Sequence, residues 1–130
     1  MKHTHNSGMV FCLIAVAAFI FTESLWAQDP TKVDSKHYKV VFENDSVRVL
    51  RITYGPHEKS VMHEHPNAVG VFLTDLTGRF TLPDGKKIDN TGKAGDAIWT
   101  PAGKHLPENL GDKAFELILV ELKPYKAKTK

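Results

Sequence analysis

The 130-residue chain has 17 Lys and Arg against 15 Asp and Glu, a formal net charge of +2, and 42% hydrophobic residues. This is the composition of an ordinary globular protein, and the length leaves room for one domain with one core. The basic residues are scattered except at the C-terminal end, so the charge pattern gives no support for a nucleic-acid partner.

The first 27 residues are typical of a secretory signal peptide. Lys2 precedes an apolar run from Met9 to Phe21, and the small residue Ala27 is followed by polar residues. We predict cleavage after Ala27 and export to the periplasm or the medium. A retained membrane anchor is the alternative, but a bilayer span needs about 20 apolar residues and Glu23 interrupts the run. The mature chain is therefore expected to have no stable membrane span.

The mature chain divides into three parts along its length. Residues 28–37 are polar and include Pro30, which predicts a flexible linker. Residues 38–124 form the expected domain, and residues 125–130, YKAKTK, form a basic, exposed tail. The only cysteine, Cys12, lies within the predicted signal peptide, so the mature chain would lack thiolate metal ligands and thiol nucleophiles.

Short apolar runs alternate with turn residues throughout the expected domain. In chain order the runs are YKVVFE, SVRVLRITY, VGVFLTD, GRFTLP, KKID, AIWTP and AFELILVELKP. They are rich in β-branched and aromatic residues, and turn signals recur about every 8–12 residues, as in sandwiches and barrels. The pattern predicts an all-β fold without a substantial helix.

Two histidines, His63 and His65, stand just before the run VGVFLTD. Residues two apart on a strand share a face, so both imidazoles can point into one interior space, and imidazole is a common metal ligand. Taken alone, the pair fits two solvated loop histidines better than a metal site. A second region, GDAIWTPAGKHLPEN, predicts a strand that ends at Thr100 and a turn that places His105 at the start of the next strand.

These two regions resemble the two sequence motifs of the cupin superfamily. The first motif, a glycine followed by His-x-His and a later glycine, is matched by Gly55, His63, His65 and Gly78. The second, Gly-Asp, Pro-x-Gly and then His with Asn four residues on, is matched by Gly95, Asp96, Pro101, Gly103, His105 and Asn109. The resemblance spans about residues 42–123. It implies a single-domain, antiparallel jelly-roll β-barrel that commonly pairs as a homodimer.

The resemblance also implies that His63, His65 and His105 bind one divalent metal inside the barrel. Cupins usually add a glutamate ligand at the position occupied here by Gly70, and the turn before His105 is one residue shorter than usual. Three neutral imidazoles suit iron(II), zinc, nickel or copper and leave coordination positions open. We expect iron(II) or zinc first, nickel or copper next and manganese less, although a metal-free barrel is also compatible with the sequence.

Four residues are candidates for the lining of a ligand pocket beside the metal, namely Gly70, Phe72, Thr74 and Asn109. Phe72 and Thr74 have the same strand parity as Gly70 and should face the cavity if that register holds. Asn109 is expected either to support the turn after His105 or to form a hydrogen bond with a histidine.

Two functions fit these expectations. The first is an exported metal-dependent enzyme, a three-histidine dioxygenase that acts on a small organic substrate, by similarity to cupin dioxygenases with that ligand count. The second is a non-catalytic module that binds or senses a small molecule, with or without metal. The sequence identifies no catalytic acid or base, and the fold alone does not choose between the two functions.

Overall fold

The computed structural model describes residues 28–126, so the predicted signal peptide and residues 127–130 lie outside the described residues. The described chain consists of a short helix followed by nine strands. These are α1 (Pro30–Val33), β1 (Tyr38–Glu43), β2 (Val47–Tyr54), β3 (His63–His65), β4 (Ala68–Phe72), β5 (Leu76–Thr81), β6 (Lys87–Gly92), β7 (Ala97–Thr100), β8 (Gly103–Asn109) and β9 (Phe115–Leu122).

The strands form two antiparallel sheets. One sheet has the order β1-β2-β9-β4-β7 and the other has the order β3-β8-β5-β6. Strands that are neighbours in a sheet are often distant in sequence, as in β2 with β9 and β5 with β8, which is the connectivity of a jelly roll. The all-β, antiparallel jelly-roll prediction is confirmed.

The hydrophobic core lies on one side of the barrel. Strand alternation turns every second residue of β2, β4 and β9 inward, and these residues pack together with the start of β1. The buried cluster contains Tyr38, Leu50, Ile52, Tyr54, Ala68, Phe115 and Leu119. In contrast, β6 and β7 contain no fully buried residue. The barrel is therefore closely packed along β2 and β9, whereas the edge strands β1, β6 and β7 are largely exposed.

The prediction of a flexible linker over residues 28–37 is wrong. Asp29 caps α1 by accepting a hydrogen bond from the backbone N–H of Thr31 at 2.8 Å, and Pro30 at the start of the helix is buried. His37 is also buried, with its Nδ1 2.7 Å from an Asp34 carboxylate oxygen. Asp29 and His37 thus bind neighbouring groups and the barrel, whereas Lys32, Ser35 and Lys36 face water.

The ion pair between Asp29 and Arg48, 2.5 Å long, makes this segment part of the fold. Asp29→Ala should lower the free energy of unfolding by about 1–3 kcal/mol, because it removes both the helix cap and a charged hydrogen-bond partner. Asp45→Ala, in an exposed turn, is the matched control and should change stability by less than about 0.5 kcal/mol. Urea unfolding followed by circular dichroism measures both, and equal effects would show that the segment is only loosely attached.

The two ends of the described chain bear on the remaining predictions. Among the described residues, no helix is long and apolar enough to cross a membrane. Tyr125, in the expected tail, is 92% exposed. The signal peptide itself remains a prediction from the sequence.

Candidate metal centre

Strands β3 and β8 bring the three predicted histidines together. His63 lies directly opposite His105 in the antiparallel pair, and His65 follows on the same face of β3. The ring centroids are 4.9 Å apart for His63 and His65, 5.1 Å for His63 and His105, and 5.4 Å for His65 and His105. One ring nitrogen from each histidine lies within 4.8 Å of the others. The sequence therefore identified a real cluster.

Hydrogen bonds establish which nitrogens of His63 and His65 are free. The Nδ1 atom of His63 is 2.8 Å from the backbone oxygen of Val61, which can only accept, so Nδ1 is the donor. The Nδ1 atom of His65 is 2.6 Å from Oε1 of Glu121 and donates to that carboxylate. In the neutral tautomers both Nε2 atoms consequently carry lone pairs.

The two Nε2 atoms of His63 and His65 are only 3.1 Å apart. Two lone pairs that face each other at this distance repel unless a cation or a proton lies between them. Nitrogens bound to one metal at about 2.0–2.1 Å are about 2.9–3.4 Å from each other, so this pair already has the spacing of two metal ligands. His105 contributes the third imidazole, with its ligand atom within 4.8 Å of the other two. The donor set fits one divalent transition metal.

Behind His65, a chain of charged residues leads back to the N-terminal segment. Glu121, 1% exposed, accepts from His65 through Oε1 and from Nε of Arg48 through Oε2 at 2.5 Å. Arg48 in turn donates to Asp29. Burial alone would raise the pKa of the Glu121 carboxyl, but the hydrogen bonds from His65 and Arg48 outweigh it and hold that pKa below its usual value. The ionised carboxylate keeps the proton of His65 on Nδ1.

A second connection joins the same N-terminal segment to His63. The Oγ atom of Ser60 donates to Oδ2 of Asp34 at 2.5 Å and lies 3.4 Å from Nδ1 of His63. The ring of Tyr38 packs edge-on against His63, with the centroids 4.8 Å apart. Polar contacts at Nδ1 and ring packing therefore fix the orientation of both buried histidines, as metal ligands require.

Burial keeps His63 and His105 uncharged at neutral pH. It lowers the pKa of His63 to about 4 and that of His105 to about 3, and repulsion from a proton on His65 lowers both further. Metal ligation needs neutral imidazole, so the folded site is ready to bind a cation at neutral pH without first releasing protons from these two rings.

These pKa values predict an acid-sensitive metal-free protein. Below about pH 6.5 the unfolded chain takes up protons at His63 and His105, whereas the folded chain does not until about pH 4 and about pH 3. The free energy of unfolding should therefore fall as the pH drops through this window. Urea titrations of chelator-treated protein between pH 7.5 and 4.5 measure it. The slope should be shallower in His105→Gln and unchanged in His57→Gln, an exposed histidine; equal slopes in all three would contradict the prediction.

The four predicted pocket residues divide into two groups. Gly70 is buried on β4, and a side chain there would point towards Ile98 and Leu117. Phe72 also points inward, but its ring lies against Gly92. A Cβ atom added to Gly92 would lie 2.0 Å from that ring, so Phe72 packs the end of the barrel.

Thr74 and Asn109 have structural roles instead of lining the pocket. β4 ends at Phe72, so strand parity does not extend to Thr74, whose Oγ1 accepts from the backbone N–H of Glu116 at 2.9 Å. The side-chain amide of Asn109 binds backbone atoms of Gly55, Gly111 and Lys113 at 2.8–2.9 Å. It therefore fixes two loops and supports the fold near β8, not the ligand site.

Sequence reasoning missed Glu121, Arg48 and Asp29. One signal was available for the first, because Glu121 has the same strand parity as the inward-facing Leu117 and Leu119 in AFELILVEL. A glutamate on an apolar strand face needs a buried partner. Nothing in the sequence indicated which partner, since Arg48 and His65 come from distant strands.

Comparison with solved structures finds the same architecture elsewhere. A cupin domain from Bordetella pertussis Tohama I matches 67% of this chain and 92% of its own, with 24% identity and a TM-score of 0.63. A protein with a double-stranded β-helix domain from Klebsiella pneumoniae matches 69% of this chain and 77% of its own, with 24% identity and a TM-score of 0.53. The polyketide cyclase RemF from Streptomyces resistomycificus matches 65% and 63%, with 16% identity and a TM-score of 0.51.

A scan against protein-family models finds no match, and a search of curated proteins finds none either. The structural likenesses are below 25% identity and thus concern the fold, which hosts many activities. Together with the two sheets and the histidine cluster, they identify the chain as a protein of the cupin, or double-stranded β-helix, fold.

Proposed function

We propose that the protein is an exported metal-binding cupin that uses His63, His65 and His105 to hold one divalent transition metal, iron(II) or zinc first, and that it acts as a dioxygenase on a small organic substrate. The observation that carries the metal site is the 3.1 Å separation of two Nε2 atoms whose Nδ1 atoms both donate hydrogen bonds elsewhere. A metal about 2.0–2.1 Å from both nitrogens would remove the repulsion between their lone pairs.

The chain contributes the orientation of the ligands to this chemistry. A metal held by three imidazoles offers open positions for a substrate and oxygen. Glu121 and the Val61 carbonyl orient two of the ligands, and β3 and β8 place the third opposite them. No carboxylate stands at Gly70, so the metal would keep more open positions than in a four-ligand site. This favours chemistry in which a substrate binds the metal directly.

Elemental analysis and oxygen uptake test the proposal together. The mature chain, residues 28–130, is purified without chelators, analysed for metals, and then loaded with iron(II) under anaerobic conditions. We expect one equivalent of metal and oxygen consumption with at least one member of a panel of small ketones, phenols and thiols. Stoichiometric metal without oxygen uptake would instead favour the non-catalytic binding module. Failure to bind any of iron, zinc, nickel or copper would refute the metal site.

Export is supported by the charged start, apolar run and small residue at Ala27 in the first 27 residues. Expression of the full chain in a bacterium, followed by fractionation, tests it. The exported protein should begin at Gln28, and an uncut chain in the cytoplasm or the membrane would contradict the proposal.

We also propose that two copies associate through β1. This strand ends its sheet, and Val40, Val41 and Phe42 are 46–53% exposed. Antiparallel approach of two copies would place Lys39 of one near Glu43 of the other, so the strand is complementary to itself in charge. Light scattering should report a dimer that Val41→Lys converts to monomer. Leu73→Lys, at another exposed apolar residue, should leave it intact, and a monomeric wild type would refute the pairing.

A further inference from the structure

We call the boundary between β6 and β7 the seam. Each of these strands ends its sheet, β7 in the five-stranded sheet and β6 in the four-stranded one. They follow each other in the chain but do not pair. No backbone hydrogen-bond ladder therefore closes the barrel at the seam.

The walls of the seam are apolar, and they face inward. Ile98 lies opposite the buried Gly70 in the β4–β7 pair. A Cβ atom added to Gly70 would lie 3.4 Å from Cγ1 of Ile98, so Ile98 points into the barrel. Ile88 lies opposite Phe80 and shares its face. Inward-facing isoleucines are normally buried, yet Ile98 is 42% exposed and Ile88 is 41% exposed. Solvent therefore enters the barrel at these two residues.

The seam leads to the accessible side of the histidine cluster. The ring of Phe80 stacks on His105 at 4.4 Å with an interplanar angle of 15°, so the wall that contains Ile88 continues to a metal ligand. His105 is partly exposed, whereas His63 is 0% and His65 is 2% exposed. A ligand that approaches the cluster from the seam would meet the His105 side first.

The seam walls carry no charge to recognise an ionic ligand. The charged neighbours of Ile88, Lys87 and Asp89, lie on the opposite face of β6 by strand alternation, and Asp89 pairs with Arg79. β7, AIWT, has no charged residue. The other two arginines of the chain pair with carboxylates away from the seam, Arg48 with Glu121 and Arg51 with Glu116.

A second concavity, a cleft of about 740 Å³ whose lining includes Arg48, Glu121 and His65, also approaches the cluster. It reaches the Nδ1 side of the His65 ring. Glu121 accepts a hydrogen bond from Nδ1 there, whereas Nε2 points to His63 on the other side of the ring. A molecule in the cleft would meet the charged pair of Arg48 and Glu121 and not the metal. The seam is thus the route that fits the geometry.

We infer that the seam between β6 and β7 admits a neutral, largely apolar organic ligand, which reaches the metal from the His105 side and binds it through one donor atom while its apolar body packs against Phe80, Ile88 and Ile98. The inference rests on the proposed metal site and adds the chemical class of the ligand to it.

Two imidazoles that differ only in an apolar group provide the test. The mature chain is loaded with cobalt(II), and the visible spectrum is followed during titration with imidazole and with 4-phenylimidazole. Both supply the same donor nitrogen, but only the second has a body that the seam would bury, so it should bind about tenfold tighter or better. Ile98→Ser should reduce this preference severalfold. Trp99→Ser is the matched control, since Trp99 is the exposed neighbour on the outer face of β7, and it should leave the preference unchanged.

The outcomes separate the two proposals. A chain that takes up no cobalt would refute the metal site, and the ligand inference would fall with it. Cobalt uptake with equal affinity for the two imidazoles would leave the metal site standing and overturn the ligand class. A preference that Trp99→Ser removes and Ile98→Ser keeps would overturn the seam as the binding surface.

Discussion

Single replacement of His63, His65 or His105 by Ala should lower the affinity for the bound metal by more than about tenfold. Each change removes one of three imidazoles whose nitrogens lie within 4.8 Å of one another. Elemental analysis of the purified variants, together with competition against a coloured chelator, measures the loss. His57→Ala is the matched control, because the His57 side chain is 62% exposed and its Nε2 contacts Asp112.

The same variants distinguish a metal site from a merely structural cluster. His63→Ala relieves the close approach of two Nε2 atoms, so the metal-free variant should retain the β-sheet circular dichroism of the wild type. A fully folded variant that has lost its metal supports ligation. Unchanged metal content in all three variants would refute the assignment, and loss of the fold in all three would show that the histidines serve packing.

Glu121→Gln is expected to have the second largest effect, although Glu121 would not touch the metal. The amide keeps the size of the side chain but removes the charge that Arg48 and His65 both contact. We expect metal affinity to fall about 10–100-fold, because the orientation and basicity of His65 are weakened. Stability should fall by about 2–4 kcal/mol, since a buried ion pair is broken while Arg48 keeps only Asp29.

Glu116→Gln is the control for Glu121→Gln. Glu116 lies on the same strand and also pairs with an arginine of β2, Arg51, but on the exposed face. Exposed ion pairs contribute little to stability because water screens them, so this variant should be nearly neutral in both stability and metal affinity. Urea unfolding and isothermal titration with zinc compare the two. If Glu121→Gln binds metal as the wild type does, the buried carboxylate supports the fold alone.

The histidine cluster was predictable because its cause is local. Residues two apart on a strand share a face, so His63 and His65 are necessarily neighbours once the segment is extended. The partner His105 followed from the resemblance of two motifs, and the β3–β8 register puts it directly opposite His63. Strand boundaries from turn residues were similarly close, and β1 matches the run YKVVFE residue for residue.

The predictions that failed needed knowledge of where an element ends or what it touches. Thr74 was assigned to the cavity by parity, but parity holds only as far as the strand continues, and β4 stops at Phe72. Residues 28–37 have a polar composition that favours a linker. Tertiary ion pairs between Asp29 and Arg48 and between Asp34 and His37 make the segment part of the packed structure.

The sequence by itself determined the all-β architecture and the two histidine motifs, because alternation, turn residues and ligand spacing are properties of neighbouring residues. Only the tertiary structure decided which charged groups hold those histidines and where the barrel opens. Glu121 reaches His65 across 56 residues, and Ile98 is exposed on β7, which ends its sheet. Both facts depend on which strands lie side by side, and strand pairing is set by burial summed over the whole chain.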